Sequence, residues 1–447
     1  MSRQAISNYY AAKNNIKKQH THYKVIPTIV KSHAKAEIKI VPLYDRCRFA
    51  DGEYKILLTP VAQIYQGAEI IAYTTAKDGV LAFEAEIGAE QEYNVYVKIK
   101  DGENYRDVEN FLIYALDEDM YSLRPYKADM HIHSYMSDGS EDPVYVAASY
   151  RKMGFDIMGL TDHHRYEPSR IAIGAYKDVK YDLSLCNGEE VHAPDNPVHI
   201  VNFGGSISVN EYIESNKDDY MRQVREIMAT VTDYPDPKAE NEIYMYASSK
   251  WVFNKIREGG GIAIFCHPFW RIGEGYHISE RLTDYMFDKA DFDAYEVVGG
   301  YYPDQIDSNA IQIAKYHDRR AKGDKIPIVG VSDSHGCDTG ELMNWYSTIV
   351  FAKSPKIADV RAAVLDRKSV AVETVAGEAP RVYGEFRYVK FGYFVLREIF
   401  PIHDLMCAAE GVLMYEYSIT KDESVKTALE KLSGRTAAYL EERWGNE

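Results

Sequence analysis

The chain has 447 residues, 46% of them hydrophobic and 27% charged, with a formal net charge of -16 at pH 7. That length suits two or three domains with ample apolar content for a core. The acidic balance weighs against long polynucleotide partners, whose capture depends on Lys and Arg displacing phosphate counterions. No run of about 18 or more apolar residues and no apolar stretch near the start occur, so the expectation is a cytoplasmic protein with no helical membrane span and no secretory signal. Cys47, Cys186, Cys266, Cys337 and Cys407 are scattered without paired spacing, as expected of reduced thiols rather than a disulfide framework.

Residues 1–22 form a polar N-terminal segment of mixed charge, read as a solvated helix or a frayed end. From 23 to 118 the runs YKVIPTIV, AEIKIVPLY, YKILLTP, AEIIAYTT, LAFEAEI and EYNVYVKIK are β-branched and aromatic, several alternate, and Asp-Gly turns at 51–52, 78–79 and 101–102 break them. This pattern predicts a small antiparallel β-sandwich. Beyond it the grammar becomes α/β. Helical stretches PVYVAASYRKMG, DYMRQVREIMAT and ASSKWVFNKIREGG alternate with strand candidates FDIMGLT, HIVNFG, GGIAIFCHP, AYEVVGG and KIPIVGVSD. Mostly parallel strands follow, in a doubly wound sheet or a barrel, with the chemistry where strands give way to loops. From 376 to 447 the chain reads as a helical C-terminal extension whose apolar stripes suit docking or a homo-oligomer contact.

The histidines carry the functional signal. His131, His133, His163, His199, His267 and His335 each fall at or beside the end of an expected strand, in MHIHSYMSDG, GLTDHH, VHIVNFG, IFCHPFW and GVSDSHG. A lone buried histidine is usually structural, but buried imidazoles need partners and have no reason to gather at one end of a sheet. Residues two apart on a strand face the same side, which pairs His131 with His133 and Asp333 with His335. With Asp138, Asp333 and one of Glu189 and Glu190, nine donors are available, about what two or three ions with open positions would take. Imidazole with carboxylate suits Mn, Zn or Fe. His20 and His22 repeat the His-x-His spacing without companions, and His192, His277, His317 and His403 read as structural or exposed.

HIHSYMSDG, GLTDHH, CHP and SDSH, in this order over about residues 126 to 375, resemble the sequence motifs of the PHP (polymerase and histidinol phosphatase) family of metal-dependent hydrolases. The resemblance implies a distorted seven-stranded (β/α) barrel with a two- or three-metal centre at the C-terminal strand ends, hydrolysing phosphoesters. By position it gives His131, His133 and Asp333 one ion, lets Glu190 bridge to a second held by His199 and His267, and gives Asp138, His163 and His335 a third. Glu189 then faces away. A β domain ahead of the barrel also resembles the carbaryl-hydrolase-like branch, which implies carboxylic or carbamic esters as alternative substrates.

The reaction expected is hydrolysis of a small anionic phosphomonoester or phosphodiester, such as a nucleotide or sugar phosphate, by in-line attack of a metal-bridging hydroxide. Arg271 is a candidate phosphate clamp or equally a surface salt bridge, and His164 a candidate general acid. Asp162 is expected behind a ligand histidine, with Glu296, Tyr301 and Tyr302 lining the pocket. A non-catalytic metal-binding module is the remaining alternative, and it would predict missing ligand positions.

Overall fold

The computed structural model describes residues 17–63, 69–338 and 342–446. Most of the polar N-terminal segment, residues 1–16, lies outside them. The chain divides into two compact units, one of residues 1–124, 386–406 and 434–447, the other of 125–385 and 407–433. Among the described residues no helix is long and apolar enough to cross a membrane, and all five cysteines are free thiols.

The first unit is built on two sheets. Strands Tyr23–Ile26, Lys35–Pro42 and Leu81–Glu86 form one, all antiparallel. Strands Ile29–Lys31, Asn104–Leu116, Gln91–Asp101, Glu53–Pro60 and Ile70–Thr75, in that spatial order, form the other. Alternation along each strand sends Ile38 and Ile40 from the first sheet and Ile56, Leu58, Val95 and Val97 from the second into one core. Asp78 and Gly79, at φ 53° and 78°, make a two-residue turn closed by the Lys77–Val80 bridge. Two details depart from the simple sandwich. YKVIPTIV, read as one run, breaks at Pro27, which has no N–H for a ladder, and its halves join different sheets. The second half pairs parallel with Asn104–Leu116.

Nor is the segment from 376 onward a body by itself. The first unit takes helix Phe386–Phe394, whose Phe391 and Phe394 rings pack 5.0 and 5.2 Å from Tyr114, and helix Arg435–Trp444. The second takes residues 407–433.

In the second unit every strand candidate of the α/β stretch is a strand: Ile157–Gly159, His199–Phe203, Ile262–Phe265, Ala294–Gly299 and Ile328–Val331. Among the described residues, hydrogen-bonded pairing gives two large sheets and a two-stranded ribbon rather than one closed seven-stranded barrel. The five-stranded sheet runs Gly188–His192, His199–Phe203, Ile262–Phe265, Ala294–Gly299, Ile328–Val331. Its last three strands are parallel, but the first three pair antiparallel: residues 193–198 are too short for a crossover and force a hairpin, and His199–Phe203 so reversed also runs against Ile262–Phe265. The six-stranded sheet runs Ser184–Cys186, Ile157–Gly159, Arg124–Asp129, Tyr346–Ala352, Ser369–Glu373, Arg381–Tyr383. Isolated parallel bridges join the two sheets, Ile132 to Ser334 and His163 to Glu190. Asp142 caps helix Pro143–Lys152 through Val144 N, and Ser279 caps Glu280–Lys289 through Leu282 N.

Candidate metal centre

The two bridges assemble the centre. His131 and His133 follow strand Arg124–Asp129, and Asp333 and His335 follow Ile328–Val331. Asp333 N donates to His131 O, and His133 N donates to Ser334 O, both at 2.9 Å, zipping these two loops together. Asp162 Oδ1 accepts from Ser134 N (2.9 Å), Ser134 Oγ (2.8 Å) and Ser137 Oγ (2.8 Å), curling the loop so that Asp138 returns toward His133. Asp162 therefore shapes the SYMSDG loop instead of backing a histidine, as the sequence had suggested. A Cβ on Gly139 would stand 2.8 Å from Ser134 O, which explains glycine there.

At the second bridge, Glu190 N donates to Asp162 O (3.2 Å) and His164 N to Glu190 O (3.1 Å), seating Glu190 beside His163. His199 enters from the neighbouring strand and His267 from the end of Ile262–Phe265. His267, Asp333 and His164 adopt φ of 24°, 49° and 58°. Such left-handed backbone costs a non-glycine residue roughly 1–3 kcal/mol and persists where the surroundings impose it, characteristically at functional sites. It also means that strand alternation does not govern Asp333 and His335.

All nine expected donors meet. Asp333 Oδ1 lies 2.9 Å from His133 Nε2 and 3.2 Å from His131 Nε2. Glu190 Oε2 lies 3.5 Å from His131 Nε2 and 2.6 Å from His163 Nδ1, while its Oε1 lies 2.8 Å from His199 Nδ1 and 3.5 Å from His267 Nε2. Asp138 stands 3.3 Å from His163 Nε2 and 3.2 Å from His335 Nε2. Despite this proximity, His131 Nε2, His133 Nε2, both Glu190 oxygens, His199 Nδ1 and Asp333 Oδ1 are buried without a hydrogen bond. Six buried, unpartnered lone-pair atoms converging on one space would cost several kcal/mol, and divalent cations reconcile them. The donor set fits such ions.

Electrostatics agree. Burial disfavours charge on every member, yet Asp138 and Glu190 lift His163 to about 10, and Asp138 and Asp333 lift His335 to about 9. For His199 burial wins and holds it at about 3, leaving a neutral imidazole. Burial pushes Glu190 upward, but His199 and His131 bring it well below the usual carboxylate range. Unaided by ions, the carboxylates hold protons on imidazoles as counter-charge.

The remaining expected residues lie elsewhere. Glu189 is turned away, as expected, and accepts from Asn202 Nδ2, Ser208 Oγ and Asn210 Nδ2 at the N-terminus of helix Val209–Ser215. Arg271 sits exposed on the small ribbon Arg271–Ile272/Gly275–Tyr276 and pairs with Asp307 at 3.6 Å. The His164 ring packs 4.4 Å from His192, and burial, followed by His192 and His163, lowers its pKa from the ordinary imidazole value. His20 and His22 belong to the first unit: His20 pairs with Glu398 at 2.7 Å, so it is held rather than solvated, and His22 contacts Arg46.

Two members, His192 and His277, escaped the sequence reading, and Glu296, expected only to line the pocket, stands against a histidine of the centre. His192, taken as structural or exposed, has Nε2 2.8 Å from His163 Nδ1 and 3.7 Å from Glu190 Oε2. Its signal was present, since it follows Glu190 by two on one strand. Glu296 is buried 3.1 Å from His131 Nδ1. The His277 ring lies 4.7 Å from that of His199.

No protein-family model matches the chain, and no curated protein does. Similar solved structures include a two-domain protein from Bacteroides vulgatus containing a predicted PHP-like metal-dependent phosphoesterase (18% identity, 56% of this chain and 65% of that one, TM-score 0.37). A proposed metal-dependent phosphoesterase from Bifidobacterium adolescentis is 20% identical over 47% of this chain and 87% of that one, at TM-score 0.31. An amidohydrolase from Chromobacterium violaceum is 17% identical over 56% and 99%, also at TM-score 0.31. The chain thus spans just under two thirds of the Bacteroides vulgatus structure. At these scores the functional reading rests on the residues of this chain alone.

Proposed function

We propose that the second unit is a PHP-type metal-dependent hydrolase acting on small anionic phosphoesters. In this reading strands Arg124–Asp129, Ile157–Gly159, Gly188–His192, His199–Phe203, Ile262–Phe265, Ala294–Gly299 and Ile328–Val331 act as a seven-membered ring closed by the two isolated bridges. The observation that carries the reading is the convergence of buried, unpartnered donor atoms from His131, His133, Glu190, His199 and Asp333.

His131, His133 and Asp333 would hold one divalent ion, with Glu190 shared toward a second at His199 and His267. Asp138, His163 and His335 would hold a third. The imidazole and carboxylate mixture favours Mn, Zn or Fe. When bound, such ions supply a deprotonated water at neutral pH and positive charge opposite the scissile bond. The protein's own part is to fix the donors on two zipped loops and one hairpin, and to keep His199 neutral as a donor through burial.

One observation favours a second reading, hydrolysis of a carboxylic or carbamic ester. Arg271, the phosphate clamp suggested by sequence, already faces the Asp307 carboxylate, and an ester needs no such clamp. The test loads the chain with Mn, Fe or Zn and offers p-nitrophenyl phosphate, bis-p-nitrophenyl phosphate and naphthyl esters and carbamates. Cleavage of the phosphate substrates is expected. Cleavage of only the ester or carbamate would overturn the first reading in favour of the second.

A further inference from the structure

We propose that His192 is itself a metal ligand, completing a four-donor set with His163, Glu190 and His199; this rests on the centre being a metal site. The hairpin geometry dictates the arrangement. Glu190 and His192, two apart on strand Gly188–His192, share a face. Across the hairpin His192 is the register partner of His199, and the two rings lie 4.0 Å apart. The crossing bridge then brings His163 against the same face.

One donor atom from each of these four residues lies within 4.8 Å of all the others. His163 Nδ1 is 2.6 Å from Glu190 Oε2 and 2.8 Å from His192 Nε2, His192 Nε2 is 3.7 Å from Glu190 Oε2, and His199 Nδ1 is 2.8 Å from Glu190 Oε1. Tetrahedral bonds of about 2.0–2.1 Å place ligand atoms about 3.3 Å apart; the separations among His163 Nδ1, His192 Nε2 and Glu190 Oε2 bracket that value, and His199 reaches the other oxygen of the same carboxylate.

The competing arrangement is a hydrogen bond, with His192 accepting from His163 Nδ1–H. That proton would have two claimants, because Glu190 Oε2 is nearer to the same nitrogen than His192 is. It would also leave both Glu190 oxygens and His199 Nδ1 unpartnered and buried. One proton satisfies one pair of this group, whereas one cation satisfies all four donors. His163 thereby offers Nδ1 to this set and Nε2 toward Asp138, 3.3 Å away, and holding ions at both nitrogens at once would require its ring proton to leave to solvent, leaving an imidazolate.

The experiment titrates the full chain with Co(II), following visible absorption and counting bound ions by elemental analysis, for wild type, His192→Ala and His192→Gln. Both variants are expected to hold one ion at least tenfold more weakly and to show an altered visible spectrum, with the remaining ions bound as in wild type. Glutamine can hydrogen-bond His163 but is a poor substitute for an imidazole ligand. Restoration by His192→Gln of what His192→Ala loses would overturn the proposal in favour of a positioning role, as would a His192→Ala titration that superimposes on wild type. Should His192→Ala fail to fold, His192→Gln alone decides by the same criterion. Wild type that takes up no Co(II) would sink the metal reading itself, a result distinct from either failure of His192.

Discussion

Glu296 is buried with Oε2 3.1 Å from His131 Nδ1, and its Oε1 makes no hydrogen bond. A carboxylate behind an imidazole fixes the tautomer, so that Nδ1 carries the proton and Nε2 offers its lone pair toward Asp333 and Glu190. Loss of such a partner characteristically costs about ten- to a hundredfold in metal affinity. Glu296→Gln, which keeps an acceptor but loses the charge, is expected near the lower end of that range and Glu296→Ala near the upper end. Competition with a chromophoric chelator measures both, and ion release at the wild-type concentration of chelator would refute the role. At this scale the sequence was legible wherever a single strand period sufficed. Alternation alone separates Glu190, in the cluster, from Glu189, at a helix N-terminus, and the same step of two reaches His192. Nothing in the sequence announces that His267 and Asp333 take left-handed backbone, because that conformation is imposed by segments far away in the chain.

Among the elements, the hairpin of Gly188–His192 and His199–Phe203 is the one on which the centre depends, and its seating rests on a close backbone approach. A Cβ at Gly188 would stand 2.5 Å from Leu160 O and 2.9 Å from Thr161 Cγ2. Gly188→Ala must therefore push the hairpin off the segment that carries His163. The expected cost is about 1–3 kcal/mol, as for other overpacked sites, read as a lower urea midpoint, together with a loss of bound metal out of proportion to that loss of stability. Unchanged metal content would show that the approach serves packing only. Strands with alternation or bounded apolar runs were legible, as Ile262–Phe265 and Ile328–Val331 are. Strand Tyr346–Ala352 carried no such period, since all seven of its residues are buried, and a run buried on both faces does not alternate. The hairpin's antiparallel pairing was missed for a different reason: the helix-and-strand rhythm around it suggested crossovers, while the Pro-Asp-Asn-Pro loop at 194–197 permits only a return.

On the scale of the whole molecule, the sequence pattern separates a β-rich front from an α/β body but does not foresee that residues 407–433 belong with the body while their neighbours on both sides belong with the sandwich unit. Local composition is uniformly helical there, and only tertiary partners distinguish the pieces. Glu410 is one such partner: its Oε2 accepts from Arg151 Nε at 2.6 Å, and Arg151 is fully buried on helix Pro143–Lys152 with Asp156 at 3.0 Å. Removing one member of a buried pair costs about 3–5 kcal/mol where the other is left alone, and because Asp156 still faces Arg151 the lower end of that range applies. Glu410→Ala is expected to lose about that much in denaturant unfolding, and Arg151→Met in the same chain to recover part of it. Greater loss in the double variant would mean that Arg151 is held by its other contacts.

Ions bound by folded donors but not by the unfolded chain stabilise the fold that carries them, by about 2.7 kcal/mol at a free concentration a hundred times Kd. All nine expected ligands lie in the second unit, as do Trp251, Trp270 and Trp345, three of the four tryptophans, while Trp444 lies in the first. Tryptophan fluorescence therefore weights the second unit. Chelation is expected to lower the thermal midpoint seen by fluorescence, and re-addition of Mn, Fe or Zn to restore it. The double variant His131→Ala/His133→Ala removes two of the donors proposed for one ion and should blunt the response to chelator, whereas His20→Ala, whose imidazole pairs with Glu398 in the first unit, should leave it intact. A chelator-induced shift of equal size in the His131→Ala/His133→Ala variant would locate the stabilising ion outside this pair and break the link between the centre and the stability of the body that holds it.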